Sequence, residues 1–588
     1  MGIHKRSIKL NTSKSEYMLP ISSQVILSFL SFLIVAFGQP AWSWWSGLIA
    51  AVIGYALFLR VLLCYETPKK RFLLAFVWFA AVQWIQLSWL ISHPYLYMYI
   101  LHVLFALALG VQFGILGIFI TVSSLQRYIY MLGLAGFWTL CEWSRLFFLA
   151  GYSWNPIGLS LTGSIYAMQL ASLWGIFGLS FIVMLTNLLL VRAWIQRFAL
   201  IPCVMSIIVA SIPYLYGFIH LQIHQEIMAN RENSKFNALL VQTAFPPEEI
   251  NSLGDSRKLV SHIFEEWQAI LETMKPQLGQ PVDLIVLPEY VVPGGTYSFL
   301  FPYKSVQNAF SEILGADILP FLPAPEEPLA REIDTIMGPV KFVSNAFWVQ
   351  GLANIFKAGI VAGLEDAEDV SSSKREFYSA AMYFRPWDSS SQEPFLAERY
   401  EKRVLVPMGE YIPFEWCRAL AAQYGVSGSF TAGKEAKVFT ANSHPFGLSI
   451  CYEETFGHVM RENRQQGASL LVNLTSDVWY PDSRLPMQHF THARLRTVEN
   501  GIPLIRASNM GITGAIDSLG RVVAVVQKDG QPSEWPFEAL LVNVPTYHYQ
   551  TLYTKYGDTL IVVIALLCVL CAGIFRKLEK NLVPHTNE

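Results

Sequence analysis

Long apolar stretches separated by short polar segments fill the first 220 residues, and one more such stretch lies near the C-terminus. Each stretch is close to the roughly 20 residues that a helix needs to cross a bilayer. The stretches are residues 21–38, 44–63, 72–91, 97–122, 129–150, 166–191, 199–220 and 558–575. The pattern predicts a polytopic α-helical membrane domain of eight spans, seven of them in residues 21–220 and the eighth in residues 556–576.

The basic residues of the short polar segments indicate an orientation. If residues 1–20 are cytoplasmic, the segments that return to the cytoplasm carry Lys69, Lys70, Arg71, Arg127, Arg192, Arg197, Arg576 and Lys577. The opposite segments, residues 92–95 and 151–163, contain no Lys or Arg. Because Lys and Arg are enriched in cytoplasmic loops, we expect residues 1–20 and 577–588 inside and residues 234–546 outside the cytoplasm.

Residues 234–546 have a different pattern, in which short apolar runs alternate with amphipathic ones. The runs predict strands at 238–241, 283–287, 358–364, 378–384, 446–450, 469–474, 504–505 and 514–517, and helices at 252–274, 454–465 and 486–500. Strands that alternate with helices are typical of an α/β layered sandwich. We expect residues 291–356 to form a long irregular region between the second and third strands.

The overall composition agrees with a membrane protein. Hydrophobic residues make up 53% and charged residues 15% of the chain, and the mean hydropathy is +0.36. A net charge of −2 implies no general attraction to nucleic acid or to anionic lipid. The seven cysteines form neither a disulfide framework nor a zinc-binding pattern. We interpret His489 and His492 as surface or capping histidines and expect no metal and no cofactor.

Two charged residues, Glu142 and Arg145, lie within the fifth apolar stretch. Their i,i+3 spacing places them on one helix face, where they can pair with each other. A self-neutralised structural pair and a contact with substrate both explain charges at this depth. The structural pair explains them at least as well as a contact with substrate does.

Three short segments carry candidate chemistry. Glu289 follows the predicted strand at 283–287, Lys402 lies in the charged run from Tyr400 to Glu410, and Cys451 ends the strand at 446–450. Taken singly, each residue has an ordinary structural explanation. The carboxyl ends of strands in an α/β sheet lie at one edge, however, and sheet topology can bring the three together.

Together these residues fit acyl transfer through a covalent intermediate. Cys451 can attack a carbonyl carbon and hold the acyl group as a thioester, and Glu289 can take the thiol proton as general base. Lys402 and the backbone N–H of Tyr452 can stabilise the oxyanion of the tetrahedral intermediate. Glu410 and Glu453 can hold Lys402 in place. A Cys–His pair is the rival arrangement, since His444 and His458 each lie seven residues from the cysteine.

These segments carry a family resemblance. Leu287-Pro288-Glu289, Tyr400–Glu410 and Ile450–Glu453 resemble the Glu-Lys-Cys motifs of the nitrilase (carbon–nitrogen hydrolase) superfamily. The apolar half and the run Arg506–Thr513 narrow the resemblance to the bacterial apolipoprotein N-acyltransferase family. The resemblance implies an αββα nitrilase-like sandwich, with Glu289 as base, Lys402 as oxyanion stabiliser and Cys451 as nucleophile. It also implies that Glu410, Tyr452 and Glu453 support them.

The resemblance extends to a substrate site. It implies that Trp479 lies near the acyl-chain site, with Tyr480 beside it as a second substrate-binding residue. The chain departs here from the family's Asn-Asp-x-Trp-Phe-Gly run, because Ser476, Tyr480 and Pro481 replace its Asn, Phe and Gly. These departures concern the loop around the substrate and leave the three catalytic candidates unchanged.

The function that the resemblance implies is transfer of an acyl chain from a phospholipid, through a Cys thioester, to the N-terminal amine of diacylglyceryl-cysteine lipoproteins. Its partners are the phospholipid donor, the lipoprotein acceptor and the bilayer, with no nucleic acid. The implied location is the bacterial inner membrane, with the catalytic domain on the periplasmic side. Two alternatives are a membrane-tethered nitrilase-like amidase and a non-enzymatic transporter or receptor.

The segment after Glu289 raises a separate question about lipid access. Gly294 and Gly295 form a natural hinge, and residues 296–303 are rich in aromatic and apolar side chains. The segment either packs into the domain core or dips into the outer leaflet as a lid. Its position beside Glu289 favours the lid, which predicts that Phe299 and Phe301 are not core residues.

Overall fold

The computed structural model describes residues 18–40, 42–230, 235–246, 256–336, 338–371, 374–387, 397–419 and 429–582. The basic N-terminal residues and the last six residues, to which the sequence assigns a cytoplasmic location, lie outside these ranges. So do residues 252–255, the predicted start of the helix that the structure shows at Ser256–Met274.

The first half of the chain is helical, as its hydropathy predicts. Its helices are α1 (Ile21–Gly38), α2 (Trp44–Ile49), α3 (Tyr55–Leu62), α4 (Pro68–Gln86), α5 (Tyr97–Phe119), α6 (Val122–Leu125), α7 (Tyr128–Ser144), α8 (Ile165–Met168), α9 (Ala171–Ile195) and α10 (Leu200–Ala229). A π-helical segment, Ala50–Gly54, joins α2 and α3 into one continuous helix. These helices pack around shared apolar residues such as Phe79, Phe113 and Trp138, which are fully buried.

Helices occur at all eight predicted positions, but six of them meet the length and composition of a membrane span. Within the described residues these six are Ile21–Gly38, Trp44–Leu62, Tyr97–Phe119, Ala171–Ile195, Leu200–Ala229 and Thr559–Glu579. Helix α4 begins with three basic residues, and α7 has 17 residues. The chain is therefore a multi-pass membrane protein, and a count of eight spans stays a proposal.

Among the described residues, Glu142 and Arg145 form no direct ion pair with each other, so a self-neutralised pair is the wrong explanation for them. In the described structure the Glu142 carboxylate accepts hydrogen bonds from Trp138 Nε1 at 3.0 Å and from the backbone N–H of Ile157 at 2.8 Å. Arg145 Nε donates to Gln112 at 2.8 Å, and its guanidinium lies over the Trp138 ring. Trp138 belongs to the same helix, but Gln112 and Ile157 come from α5 and from the loop after α7, so spacing along one helix could not reveal them.

The second half of the chain contains two six-stranded sheets. Their strand orders are β17-β1-β2-β6-β7-β8 and β14-β13-β12-β11-β10-β9. The strands are β1 (Lys235–Gln242), β2 (Leu284–Val286), β3 (Phe301–Pro302), β4 (Ala330–Thr335), β5 (Gly338–Val343), β6 (Gly359–Ser371), β7 (Lys374–Phe384), β8 (Glu398–Glu401), β9 (Val438–Ala441), β10 (His444–Ile450), β11 (Leu470–Ser476), β12 (Leu504–Asn509), β13 (Gly514–Ile516), β14 (Val522–Val525), β15 (Gln527–Lys528), β16 (Gln531–Pro532) and β17 (Glu538–Pro545). Strands β1, β2 and β6 are parallel, as are β10, β11 and β12.

Helices cover the outer face of each sheet. They include α11 (Ser256–Met274), α12 (Tyr303–Leu314), α13 (Asn345–Phe356), α14 (Gly457–Gln465) and α15 (Leu485–Asn500), and the chain ends with α16 (Leu552–Tyr556) and α17 (Thr559–Leu582). Both faces of each sheet are thus buried, as the nearly continuous apolar runs of parallel strands predict. The result is the predicted αββα sandwich.

Strand β1 shows how the sequence produces these layers. Phe236, Ala238 and Leu240 point into the apolar layer between the two sheets, together with Phe446 and other residues of the second sheet. Leu239 and Val241 point the other way, into the layer beneath α11 and α13. Because side chains alternate along a strand, the apolar run Ala238–Val241 fills two cores at once.

The region predicted to be irregular, residues 291–356, is ordered, so that prediction is wrong. It contains α12, α13 and a small sheet of order β3-β5-β4. The lid prediction is also wrong for Phe301, which is 1% exposed and packs against Phe264 and Trp348. Hydrogen bonds from Thr296 to Glu365 O and from Leu300 N to Val343 O hold the segment against the domain.

The two halves of the chain are docked on each other through polar and apolar contacts. Glu499 of α15 accepts a hydrogen bond from the N–H of Ile176 at 3.0 Å, and Gln169 donates to Leu519 O at 2.9 Å. Apolar residues of the second half, including Met408, join the core of the membrane helices. The sandwich therefore rests directly on the membrane half.

The packing of Phe301 generates a stability prediction. Phe301→Ala removes a fully buried aromatic ring, and we expect the free energy of unfolding to fall by about 3–5 kcal/mol. The matched control is Phe299→Ala, since Phe299 is half-buried beneath the guanidinium of Arg331 at 4.8 Å. That contact is worth about 0.5–1 kcal/mol at an exposed site. Unfolding of the purified protein in detergent measures the stability of both variants. Equal, small decreases in the free energy of unfolding would indicate that Phe301 belongs to a lid and not to the core.

Candidate active site

The three candidate residues meet at the ends of three strands. Glu289 lies just beyond β2, Lys402 follows β8, and Cys451 follows β10. Lys402 Nζ is 2.9 Å from Glu289 Oε1, and the Cys451 thiol lies close enough to the Glu289 carboxylate for the two groups to shift each other's pKa. The structure thus brings together residues separated by up to 162 positions, with two sheets contributing to one site.

Lys402 is held between two carboxylates. Its ammonium donates to Glu289 Oε1 at 2.9 Å and to Glu410 Oε1 at 2.7 Å, and the side chain is 1% exposed. Burial by itself lowers the pKa of this lysine, but the Glu289 and Glu410 carboxylates more than reverse this and raise the pKa well above its ordinary value. Lys402 is therefore a permanent cation inside the protein.

Glu289 is positioned by a close approach to strand β6. The N–H of Gly363 donates to Pro288 O at 3.1 Å, and the N–H of Val291 donates to Gly363 O at 2.9 Å. A Cβ at position 363 would lie 2.4 Å from Pro288 O, so only glycine permits this contact. Burial raises the pKa of Glu289, and the Lys402 ammonium opposes the rise. A carboxylate with a raised pKa is a better proton acceptor near neutral pH.

Cys451 occupies a sharp turn between β10 and a short 3₁₀ helix, Cys451–Thr455. Its φ of +50° lies in the left-handed region, which costs energy for any residue with a side chain. The side chain is half-buried. Burial, and next the Glu289 carboxylate, raise the pKa of the thiol well above its ordinary value, while Lys402 lowers it. The resting residue is thus a neutral thiol that needs a base to become a nucleophile.

Glu453 supports the site differently from its predicted role. Its carboxylate accepts hydrogen bonds from the N–H groups of Arg403 at 2.5 Å, Val404 at 3.1 Å and Ile450 at 2.8 Å, and from the hydroxyl of Tyr400 at 2.8 Å. Glu453 therefore ties the backbone around Lys402 to the cysteine turn, while Glu410 is the carboxylate that contacts the ammonium. Glu410 contacts the Lys402 side chain directly, whereas Glu453 binds the backbone that follows Lys402.

Tyr452 connects the cysteine turn to the membrane half. Its ring stacks on Trp154 with the ring centroids 5.8 Å apart, and its hydroxyl donates to Gly151 O at 3.0 Å. Ser153 and Thr455 add a hydroxyl contact of 2.5 Å beside it. The nucleophile is thereby fixed relative to the helices that meet the bilayer.

The two predicted substrate residues belong to an aromatic cluster next to this contact. Trp479 stacks on His93 at 5.6 Å between ring centroids, and Tyr480 packs edge-on against Trp89 at 5.0 Å. Both side chains are half-buried, and their partners come from the loop between α4 and α5. An aromatic wall shared by the two halves therefore adjoins the cysteine turn.

The structure contains a buried ionic cluster next to Cys451 that the sequence did not indicate. Asp477, Glu454, His489 and Arg506 are each at most 4% exposed, and Arg506 bonds to both carboxylates. The prediction that His489 and His492 are surface or capping residues is wrong, since they are 2% and 1% exposed. The sequence shows that His489 and His492 are spaced along one helix, α15. It does not show that a sheet and the membrane half bury α15 on several sides.

The cluster keeps its charges by mutual pairing. Burial raises the pKa of Asp477, but His489 and Arg506 outweigh burial and leave the pKa below its ordinary value. Burial dominates at Glu454 and raises its pKa, although Arg506 and His489 oppose it. Within the described residues, no group of three or more His, Cys, Asp or Glu side chains is arranged to hold a metal ion.

The rival Cys–His arrangement gains no support at its two named positions. His444 contacts Asn442 O at 2.8 Å in the turn before β10, and His458 packs against Phe456 at the start of α14. A histidine that does contact Cys451 is His489, whose Nε2 lies 3.2 Å from the carbonyl oxygen of Cys451. That contact is to the backbone of Cys451 and not to its sulfur.

Comparison with known proteins agrees with this geometry. Residues 258–534 match the model of the carbon-nitrogen hydrolase family, and residues 31–189 match that of the apolipoprotein N-acyltransferase N-terminal domain. A Chlamydia caviae protein named apolipoprotein N-acyltransferase is 31% identical over 571 residues, covering 94% of this chain and 97% of the relative. A Chlamydia pneumoniae protein of the same name is 30% identical over 562 residues, covering 92% and 96%.

The charges around the thiol predict how Cys451 reacts with iodoacetamide. Labelling of its peptide, followed by mass spectrometry across pH, should have a midpoint above the ordinary cysteine pKa of about 8.5. Glu289→Gln removes a negative charge beside the sulfur, so the midpoint should move to lower pH. Glu462→Gln is the control, because Glu462 pairs with Arg403 on the protein surface. A midpoint that stays in place in Glu289→Gln would show that the carboxylate does not act on the thiol.

Proposed function

The chain belongs to the apolipoprotein N-acyltransferase family, and from that membership we propose its donor, its acceptor and the roles of its residues. It is an acyltransferase with a carbon–nitrogen hydrolase fold. Its acyl donor is a phospholipid, and its acceptor is the N-terminal amine of diacylglyceryl-cysteine lipoproteins. The observation that carries this proposal is the contact set of Glu289, Lys402 and Cys451, completed by Glu410.

The first half-reaction forms a thioester. Glu289 takes the proton of the Cys451 thiol while the sulfur attacks the ester carbonyl carbon of the donor. The carbonyl electrons move onto oxygen, and the Lys402 ammonium and the backbone N–H of Tyr452 donate hydrogen bonds to this oxyanion. Collapse of the intermediate breaks the C–O bond, and the lysophospholipid alkoxide leaves with the proton from Glu289. Cys451 then holds the acyl chain.

The second half-reaction passes the acyl chain to nitrogen. The lipoprotein amine attacks the thioester carbonyl, and the same two donors bind the new oxyanion. Collapse breaks the C–S bond, Glu289 takes the proton from the nitrogen, and the thiolate of Cys451 regains it. Two chemically separate steps through one covalent intermediate give ping-pong kinetics.

The aromatic wall supports a role for Trp479 and Tyr480 in binding the acyl chain. Both are half-buried at the boundary between the sandwich and the membrane half, where the rings of Trp89 and His93 meet them. Rings with one polar atom suit a place where one side is apolar and the other is wet. We assign these two residues to the acyl chain of the donor as it reaches Cys451.

The location of the enzyme follows from the same reaction. We assign residues 1–20 and 577–588 to the cytoplasm, residues 21–220 and 556–576 to eight spans of the bacterial inner membrane, and residues 234–546 to a periplasmic catalytic domain. The alternation of basic segments supports this orientation. The close docking of the sandwich on the membrane helices supports a site that works at the outer face of the bilayer.

The thioester is the direct test of the reaction. Incubation of the purified enzyme with phospholipid should add the mass of one acyl chain to Cys451, and addition of an acceptor lipopeptide should remove it. Cys451→Ala should lose both the adduct and the product. Cys451→Ser should keep an acyl ester, because an ester reacts with amines more slowly than a thioester. Substantial N-acylation by Cys451→Ala would show that another group is the nucleophile.

Reporter fusions test the orientation. Alkaline phosphatase, which is active only outside the cytoplasm, should be active when fused after Asn230. Fluorescent protein should fold when fused after Glu588, because that end is assigned to the cytoplasm. An odd number of spans before Asn230 and an even total number produce this pair of results. The same compartment for both fusion points would contradict eight spans.

A further inference from the structure

The buried histidine beside the nucleophile has contacts that the reaction described so far does not use. His489 Nδ1 lies 3.0 Å from Asp477 Oδ1. His489 Nε2 lies 3.2 Å from the carbonyl oxygen of Cys451 and 3.1 Å from Glu454 Oε1. The side chain is 2% exposed, so water does not compete for these contacts.

The partners of the ring determine the direction of its hydrogen bonds. Carboxylate and carbonyl oxygens are acceptors, and here each ring nitrogen faces at least one of them. The Cys451 carbonyl can only accept, so Nε2 is the donor in that contact, and Nδ1 is the donor towards the Asp477 carboxylate. Arg506 pairs with both buried carboxylates, Asp477 and Glu454. This ring donates hydrogen bonds and has no free nitrogen with which to act as a base.

The carbonyl that His489 contacts belongs to a strained peptide. The φ of +50° at Cys451 turns the backbone sharply, and the carbonyl oxygen then accepts from His489 Nε2 at 3.2 Å and from Asn473 Nδ2 at 3.4 Å. The peptide bond is planar and trans, so its C=O and N–H point in opposite directions. Fixing the carbonyl of Cys451 therefore also fixes the direction of the N–H of Tyr452.

That N–H is available to a ligand. Tyr452 lies in the first turn of the 3₁₀ helix Cys451–Thr455, where backbone N–H groups have no acceptor within the helix. We propose that His489, oriented by Asp477, is a positioning residue that holds the Cys451–Tyr452 peptide so that the N–H of Tyr452 meets the acyl oxyanion. The proposal rests on the proposed function and adds a residue that acts through the peptide and not on the sulfur.

Two reactions of the same thiol separate this role from a general structural one. Acylation by a phospholipid passes through an oxyanion, whereas alkylation by iodoacetamide does not. His489→Phe keeps a ring of similar size but loses both donors. We expect the rate of adduct formation at Cys451 to fall about 10²-fold, the size of losing one oxyanion donor. The alkylation rate at the same pH should stay within about twofold, a change equivalent to about 0.4 kcal/mol in the barrier.

Two further variants complete the experiment. His489→Gln retains an amide donor and should recover part of the lost acylation rate, and it serves as the test if His489→Phe melts at a much lower temperature. His492→Phe is the matched control, since His492 is equally buried one turn along α15 and packs edge-on against Trp154. It should leave both rates near those of the unmodified enzyme.

The outcomes are distinct. Loss of acylation with normal alkylation supports positioning by His489. Parallel loss of both rates, or no loss of either, overturns it. If the unmodified enzyme forms no acyl adduct while iodoacetamide still labels Cys451, the proposed function itself fails, and the role of His489 fails with it.

Discussion

The active site depends on one cation, the Lys402 ammonium, held between two buried carboxylates. A buried ammonium without a partner would lose its proton or destabilise the fold, because burying an unpaired charge costs free energy. Glu289 and Glu410 prevent this, at 2.9 Å and 2.7 Å. The two carboxylates carry one more charge than the Lys402 ammonium neutralises. This remaining negative charge keeps Cys451 a neutral thiol until Glu289 accepts its proton. A single arrangement thus supplies a base, an oxyanion donor and a protected nucleophile.

The backbone around this cation is fixed by residues that do not touch the reacting atoms. Glu453 binds the N–H groups that flank Lys402 and the start of the cysteine turn, and Gly363 lets Glu289 approach strand β6. Tyr452 then stacks on Trp154 of the membrane half. The nucleophile is therefore positioned relative to the bilayer as firmly as it is to its own sheet, which suits an enzyme whose acyl donor is a lipid.

Much of this architecture could be predicted from local patterns. Strands such as β2 and β10 are short apolar runs with polar residues at their carboxyl ends, which marked Glu289 and Cys451 as candidates. The two strands lie in different sheets, so the packing of the sheets, and not one sheet edge, brings these residues together. The predictions that proved wrong depended on contacts between distant segments. The aromatic run around Phe301 suggested a lid, but packing partners from α11 and α13 make it core. His489 and His492 looked like surface residues, because nothing in α15 alone shows that it is buried on several sides. The spacing of Glu142 and Arg145 allowed a direct pair, yet Glu142 bonds to Trp138 and Ile157 and Arg145 bonds to Gln112.

The central claim is that Lys402 stabilises the oxyanion, and single-turnover formation of the acyl adduct at Cys451 tests it most directly. Lys402→Arg keeps a positive charge but changes the compact ammonium for a planar fork. The account predicts a fall of roughly 10²–10³ in the adduct rate, in a protein that still melts cooperatively. Arg403→Ala is the comparison, because the Arg403 side chain points away towards Glu462, and its rate should change little. Equal, small effects at the two positions would contradict the account and make Lys402 an ordinary structural cation.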